Sequence, residues 1–224
     1  GRAGPAWSSL TFMLLKSFRR CSGSLFLPGC VGYSLAFYEH LIQVRKVGEP
    51  EIALLLGITA YLAYHVLVGA PTRAYVFGHE LTHATATWVS GGQVKGFKAG
   101  AKKGSVLVDR LTAFIALAPY LIPVYAILWT LIFAAVGFFV DLRPWTHWFF
   151  FGLGAALAFH LVFTVEALKQ KQSDMEVVGP ILSVGMIYWA NVTLVLGVMS
   201  LMVTEVHFWA YLTDGAQHTA DLYR

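Results

Sequence analysis

Residues 111–140 read LTAFIALAPYLIPVYAILWTLIFAAVGFFV, without one charged side chain from Leu111 to Val140. As a single straight helix this run would be about 45 Å long, against a bilayer hydrocarbon core of about 30 Å. Its apolar residues are continuous rather than alternating, which argues for helix and against a transmembrane β-barrel. Pro119 and Pro123 interrupt it. The stretch therefore predicts a membrane span that is kinked, with tilt absorbing the excess length.

Working outward, further apolar runs flank it. Upstream, Ile52 to Ala70 is a clear span closed by Pro71, and a second helix is expected from about Ala74 to Ser90, stopped by Gly91-Gly92. Downstream, Asp141, Arg143 and Pro144 form a turn. Trp145 to Leu168 is another span, with Trp145 and Trp148 at its interface. After a polar loop, Lys169 to Ser173, Asp174 opens a last span reaching about Val203. Residues 93–109, QVKGFKAGAKKGSVLVD, differ: Val94, Phe97 and Ala99 alternate with polar residues and glycines, and Val106 and Val108 share one face. Ala101 to Gly104 reads as a turn, so this segment predicts a short β-hairpin. The expected fold class is an all-α polytopic membrane protein with about five transmembrane helices plus a short membrane-associated β-hairpin. Residues 51–204 form the core, residues 1–50 an N-terminal segment and residues 205–224 a short polar C-terminal tail. Within the first segment, Lys16, Arg19 and Arg20 precede an apolar stretch, Leu25 to Phe37, broken by Pro28, Gly29 and Gly32. That stretch is short for a span and suits an interfacial or re-entrant segment, or a signal anchor.

Composition agrees. Of 224 residues, 57% are hydrophobic and 12% charged, with mean hydropathy +0.64, and that charged share is about half that of a soluble domain. The net charge of +4 would hint at nucleic acid in a soluble protein. Here the basic residues sit in short loops between apolar runs, so membrane topology explains them and no nucleic-acid partner is expected. Counting loops in order puts Arg45, Lys46, Lys95, Lys98, Lys102, Lys103, Arg110, Lys169 and Lys171 on one side, and Arg73, Arg143 and Arg224 on the other. By the positive-inside rule the first side is cytoplasmic. Cys21 and Cys30 form no CxxC and suit neither a zinc knuckle nor a disulfide scaffold.

The chemistry concentrates in Phe77-Gly78-His79-Glu80-Leu81-Thr82-His83, which contains H-E-x-x-H. Residues four apart share a helix face, so His79 and His83 can reach one metal ion, and zinc is the expected cofactor. Glu80 lies beside the first ligand, placed to act as general base on a metal-bound water. A structural polar cluster is the bland alternative, but a glutamate within an apolar helix is expensive. A catalytic zinc takes a third protein ligand. Asp174 is the first choice; as it opens a span, it reaches a metal at the depth of His79 and His83 only if its segment dips inward or is unwound. Otherwise it is a helix cap. His160 is the competitor, at matching depth, as an alternative ligand or as a group supporting the ligands from behind. His65 has a weaker case, and Asn191 is read as an interhelical hydrogen-bonding residue.

H-E-x-x-H in a membrane helix, then a hairpin, a helix pair and an aspartate at the start of a later span, resembles the site-2 protease family of intramembrane zinc metalloproteases. The resemblance covers about residues 52–200. It implies that His79 and His83 bind zinc, that Glu80 is catalytic and that Asp174 is the third ligand. The family's aspartate is followed by glycine, whereas here the context is Gln172-Ser173-Asp174-Met175-Glu176. It also implies that the hairpin guides an extended substrate to the metal.

Three functions follow for testing. The leading one is hydrolysis of peptide bonds in membrane-embedded protein substrates, in a multi-pass protein whose active site lies nearer the cytoplasmic face of the lipid bilayer. The second is a non-proteolytic zinc-binding membrane protein, a metal transporter or scaffold. A transporter should spread ligands along a path or pair broken helices, whereas one compact cluster stands out here. The third is a zinc hydrolase acting on lipids or small molecules.

Overall fold

The computed structural model describes residues 26–224 except Lys102 and Lys171. Lys16, Arg19, Arg20, Cys21 and Leu25 lie outside the described residues, as do those two lysines. The described part of the first helix, α1, covers 26–41. It is followed by α2 (Glu49–Leu67), α3 (Thr72–Val89), β1 (Val94–Ala99), β2 (Gly104–Val108), α4 (Ala113–Leu121) and α5 (Val124–Gly137). A 3₁₀ turn at Arg143–Trp145 leads into α6 (Thr146–Leu168), then α7 (Ser173–Val178), α8 (Pro180–Ser200) and α9 (Phe208–Leu222). The chain is mostly helical with one two-stranded antiparallel sheet.

Among the described residues, three helical segments are long and apolar enough to cross a membrane: Glu49–Leu67, Arg143–Leu168 and Pro180–Ser200. A fourth arises if α4 and α5, bent by 68° at their junction, count as one span. Among the described residues the expected count of about five is thus not confirmed, and α3 is the expected span that does not qualify. Arg73, Glu80, two histidines and four threonines lower its hydropathy. The long charge-free run bends sharply at its prolines, as two helices joined at Ile122-Pro123. Pro123 caps α5 and cannot continue the hydrogen bonding of α4. Phe138 and Phe139, at the end of α5, are 86% and 89% exposed, a surface suited to hydrocarbon rather than water.

α2 and α6 form the closest pair. A Cβ on Gly57 would overlap the carbonyl of Phe151, and one on Gly154 would overlap that of Leu54. Each helix thus presents a glycine where the other's backbone passes, the small-residue packing that membrane helices use. Above the glycines, Tyr61 stands against Phe159 (5.6 Å) and His65 against Phe163 (5.9 Å). These ring contacts advance together along both sequences, so α2 and α6 run parallel. This revises the loop count from sequence. Arg45 and Lys46 lie at the same end as Arg143, and Arg73 lies at the end of Lys169. The physical reason is that the chain from α3 to α4 returns to the end where it left α2, the Tyr125 hydroxyl at the start of α5 donating to the Ala74 carbonyl near the start of α3.

α1 packs on α8, with Phe26 and Tyr33 edge-on to Trp189 (6.5 and 5.6 Å) and the Cys30 thiol donating to the Gly185 carbonyl (3.5 Å). The C-terminal residues, polar in composition, form α9, which docks on α1. Tyr211 is fully buried there, and His40 and His218 pair with Asp214 and Glu39 at 3.0 and 2.9 Å.

The hairpin forms where expected, with Phe97 opposite Val106 and Ala99 opposite Gly104, and an irregularity between Val94 and Gly96. Its base is clasped by the Gln93 amide donating to Asp109 Oδ1 (2.9 Å), which holds that carboxyl below its ordinary range. The sheet lies along α3, Phe77 meeting Phe97 edge-on at 6.0 Å.

Candidate metal centre

α3 ends as its glycines dictate. Gly91 adopts φ +71°, its amide donates to Trp88 O (2.9 Å), and the Gly92 amide donates to Thr87 O (2.8 Å). This two-bond closure satisfies carbonyls that a helix end otherwise leaves free. Within the helix, the hydroxyls of Thr82 and Thr87 donate back to the carbonyls of Gly78 and His83 (2.7 and 2.8 Å), so neither needs water. Gly78 admits the ring of Tyr125 from α5: a Cβ there would stand 2.6 Å from it.

On this helix His79 and His83 face one point. Their Nε2 atoms are 3.2 Å apart, and Oδ2 of Asp174 lies 3.4 Å from the first and 3.5 Å from the second. Four ligands held tetrahedrally at zinc's usual 2.0–2.1 Å stand about 3.3–3.4 Å from one another. The triangle of two nitrogens and one oxygen therefore has edge lengths close to those that such an ion requires. It is the only such group of His, Cys, Asp or Glu side chains among the described residues.

The outer nitrogens support this use. His83 Nδ1 donates to the Ile115 carbonyl at 2.8 Å, so in the neutral ring Nε2, which faces His79 and Asp174, is the nitrogen with the lone pair. His79 Nδ1 is 3.4 Å from the Tyr75 hydroxyl. Asp174 reaches the histidines because its segment is a separate short helix: Gly179, at φ +107°, and Pro180 break α7 from α8. The last span expected from Asp174 to Val203 is thus split. Met175, buried among Leu117, Tyr120, Ala167 and Ile187, anchors α7, and the Ser183 hydroxyl ties α8 back to the Met175 carbonyl (3.1 Å).

Glu80 is buried beside the triangle. It is covered by β2 at Gly104, where a Cβ would stand 2.5 Å from Glu80 Cγ and 2.6 Å from Oε1. Glu80, His79, Tyr75, Phe163, Gly104 and Glu166 line an open cleft of about 490 Å³. Tyr75 and Phe163 stack at 4.3 Å to form one apolar wall.

His160 is not among the three converging side chains. Asn191 commits both amide protons, to Tyr120 O (2.9 Å) and Ile187 O (2.7 Å). Its Oδ1 is therefore an acceptor, and His160 Nε2, 3.1 Å away, is the donor. That nitrogen has no lone pair to offer a metal. Asn191 does bridge helices, as its sequence setting suggested. His65 belongs elsewhere, with Nε2 on Glu166 (3.1 Å) and Nδ1 on the Tyr61 hydroxyl (3.2 Å). The residue missed from sequence is Tyr120, whose hydroxyl donates to Asp174 Oδ2 at 3.0 Å. The available signal was a tyrosine in a charge-free run, since a buried phenol must find a partner. No family model matches the chain, and no curated protein or solved structure matches it either.

Proposed function

We propose that this protein is an intramembrane zinc metalloprotease that hydrolyses peptide bonds of membrane-embedded protein substrates. The observation that carries the reading is the triangle of His79, His83 and Asp174, with edges of 3.2, 3.4 and 3.5 Å, beside a buried glutamate at the wall of a cleft. Zinc, when held there, supplies a Lewis acid that polarises the scissile carbonyl and lowers the pKa of water toward about 7. The chain supplies the rest. His79, His83 and Asp174 hold the ion, and Asp174 offsets part of its charge. Glu80 takes the proton of the attacking water and passes it to the leaving amine. A substrate helix has its amides bonded internally and must be unwound before attack. The two-stranded sheet leaves unpaired backbone edges, and one can receive the unwound segment as an added strand beside Glu80.

The protein is read as multi-pass, with the cleft opening toward the cytoplasm. The parallel arrangement of α2 and α6 supports that side. Lys103 lines the cleft, and Arg73 and Lys169 adjoin its lining residues Thr72 and Gln170, whereas Arg45, Lys46 and Arg143 lie at the other end of α2 and α6.

The test is zinc content and cleavage of a membrane-anchored peptide, for wild type and Glu80→Gln. Wild type should hold about one zinc and cleave. Glu80→Gln should keep the zinc and lose several orders of magnitude in rate, since the amide cannot accept the proton. Zinc-free wild type, or near wild-type turnover by the variant, would refute the reading.

A further inference from the structure

Tyr120 is 1% exposed, at the end of α4. Its ring lies edge-on to His79 at 5.4 Å. Its hydroxyl donates to Asp174 Oδ2, the same oxygen that faces both histidine nitrogens. Its carbonyl accepts from Asn191, which is in turn gripped by His160. The residue is therefore fixed at both ends, by a buried polar network behind and a carboxylate in front.

From this geometry we propose that Tyr120 is the positioning residue of the metal centre, holding Asp174 as a ligand through one oxygen only. The inference rests on the metal-site reading above. A carboxylate oxygen offers two lone-pair directions. With one occupied by the phenol proton, Oδ2 keeps the other for the ion, and the bond fixes the rotation of the carboxylate about its Cβ–Cγ axis. Without that bond Asp174 is free to turn and offer both oxygens, filling the position that a catalytic site leaves open to water. The phenol thus has two effects: it orients the ligand, and it preserves the open coordination position. Asn191 and His160 act one step further back, by holding the Tyr120 backbone where α4 gives way to α5. This gives His160 a role at matching depth without ligation.

The experiment is a double-mutant cycle on metal affinity, with Tyr120→Phe and Asp174→Ala alone and together, measured by competition with a chelator in detergent. Tyr120→Phe removes one oxygen atom and keeps the ring. It should weaken zinc affinity about 10- to 100-fold, the usual effect of losing a partner of a ligand. In the Asp174→Ala background the same change should alter affinity less than twofold, because the phenol then has no ligand to hold. The cobalt(II) form of Tyr120→Phe should also show the weaker visible absorption of a higher coordination number. Affinity within twofold of wild type with an unchanged cobalt spectrum overturns the proposal. An equal loss in both backgrounds overturns it too, since Tyr120 would then act through the fold. If wild type holds no metal, the metal-site reading fails and takes this role with it. If wild type binds metal and Tyr120→Phe has no effect, only the role of Tyr120 fails.

Discussion

Gly104→Ala isolates the contact between the hairpin and the proposed general base. A methyl group there would stand 2.5 Å from Glu80 Cγ, 2.6 Å from Oε1 and 2.8 Å from Cδ. Non-bonded carbon atoms settle at about 3.5–4.0 Å, so either Glu80 or the strand must move by about 1 Å. Cγ is close to the backbone of a buried helix, and rotating the carboxylate alone cannot relieve that contact. A misplacement of about 1 Å at a catalytic group costs about 10²-fold in rate. We therefore expect Gly104→Ala to lower kcat about a hundredfold, with zinc content unchanged because the atoms nearest the added methyl all belong to Glu80, which is not a proposed ligand. The control is Gly96→Ala in the same hairpin, where the added carbon would meet Leu107 Cβ at an ordinary 3.6 Å. It should retain activity within about twofold, since no contact is compressed. The assay is single-turnover cleavage of a membrane-anchored peptide by both variants, with zinc measured on the same samples. Full activity in Gly104→Ala would refute the idea that hairpin and base are in working contact, and equal losses in both variants would show a general effect on the hairpin.

Two further predictions concern the scaffold. Gly154→Val places a side chain on the Leu54 carbonyl and should destabilise the α2–α6 pair by about 1–3 kcal/mol or more; thermal unfolding in detergent checks this, with Gly137→Ala, which meets only the flexible end of Leu142 at 3.4 Å, expected to be near neutral. Single cysteines replacing Arg45 and Arg143 should be labelled from one face of the membrane and one replacing Lys169 from the other; labelling of the Arg45 and Arg143 positions from opposite faces would exclude the parallel arrangement.

The elements most legible in the sequence were those specified by local chemistry. The Gly91-Gly92 stop, the proline break after Ile122 and the hairpin around Ala101–Gly104 each depend on a few neighbouring residues, and each is present. The count of spans and the assignment of loops to sides were less legible, for one reason. Both assumed that every helix of about 18 residues crosses. α3 has the length, but its composition is that of a helix built around polar side chains. Hydropathy cannot tell whether a half-polar helix ends at the far side or its chain turns back, and one segment that turns back reverses the side of every loop upstream of it. The parallel packing of α2 and α6 shows where the reversal falls, since Tyr61 meets Phe159 and, one turn on in both helices, His65 meets Phe163.

The site divides along the same line. His79, Glu80 and His83 were readable because their geometry follows from helix periodicity alone. Asp174 was readable as a residue type but not as a position, because a continuous last helix would leave it at the wrong depth. What brings it to the histidines is Gly179, five residues beyond it, whose positive φ ends α7 and lets α8 start afresh at Pro180. Tyr120 and Asn191 lie 71 residues apart and meet through one carbonyl. No local pattern encodes that pairing, although each residue carries a polar group that must be satisfied in an apolar interior. In this chain the buried polar groups away from the H-E-x-x-H helix are therefore best read as questions about partners. For Tyr120 the partner is a proposed metal ligand, and for His160 it is the residue that holds Tyr120 in place.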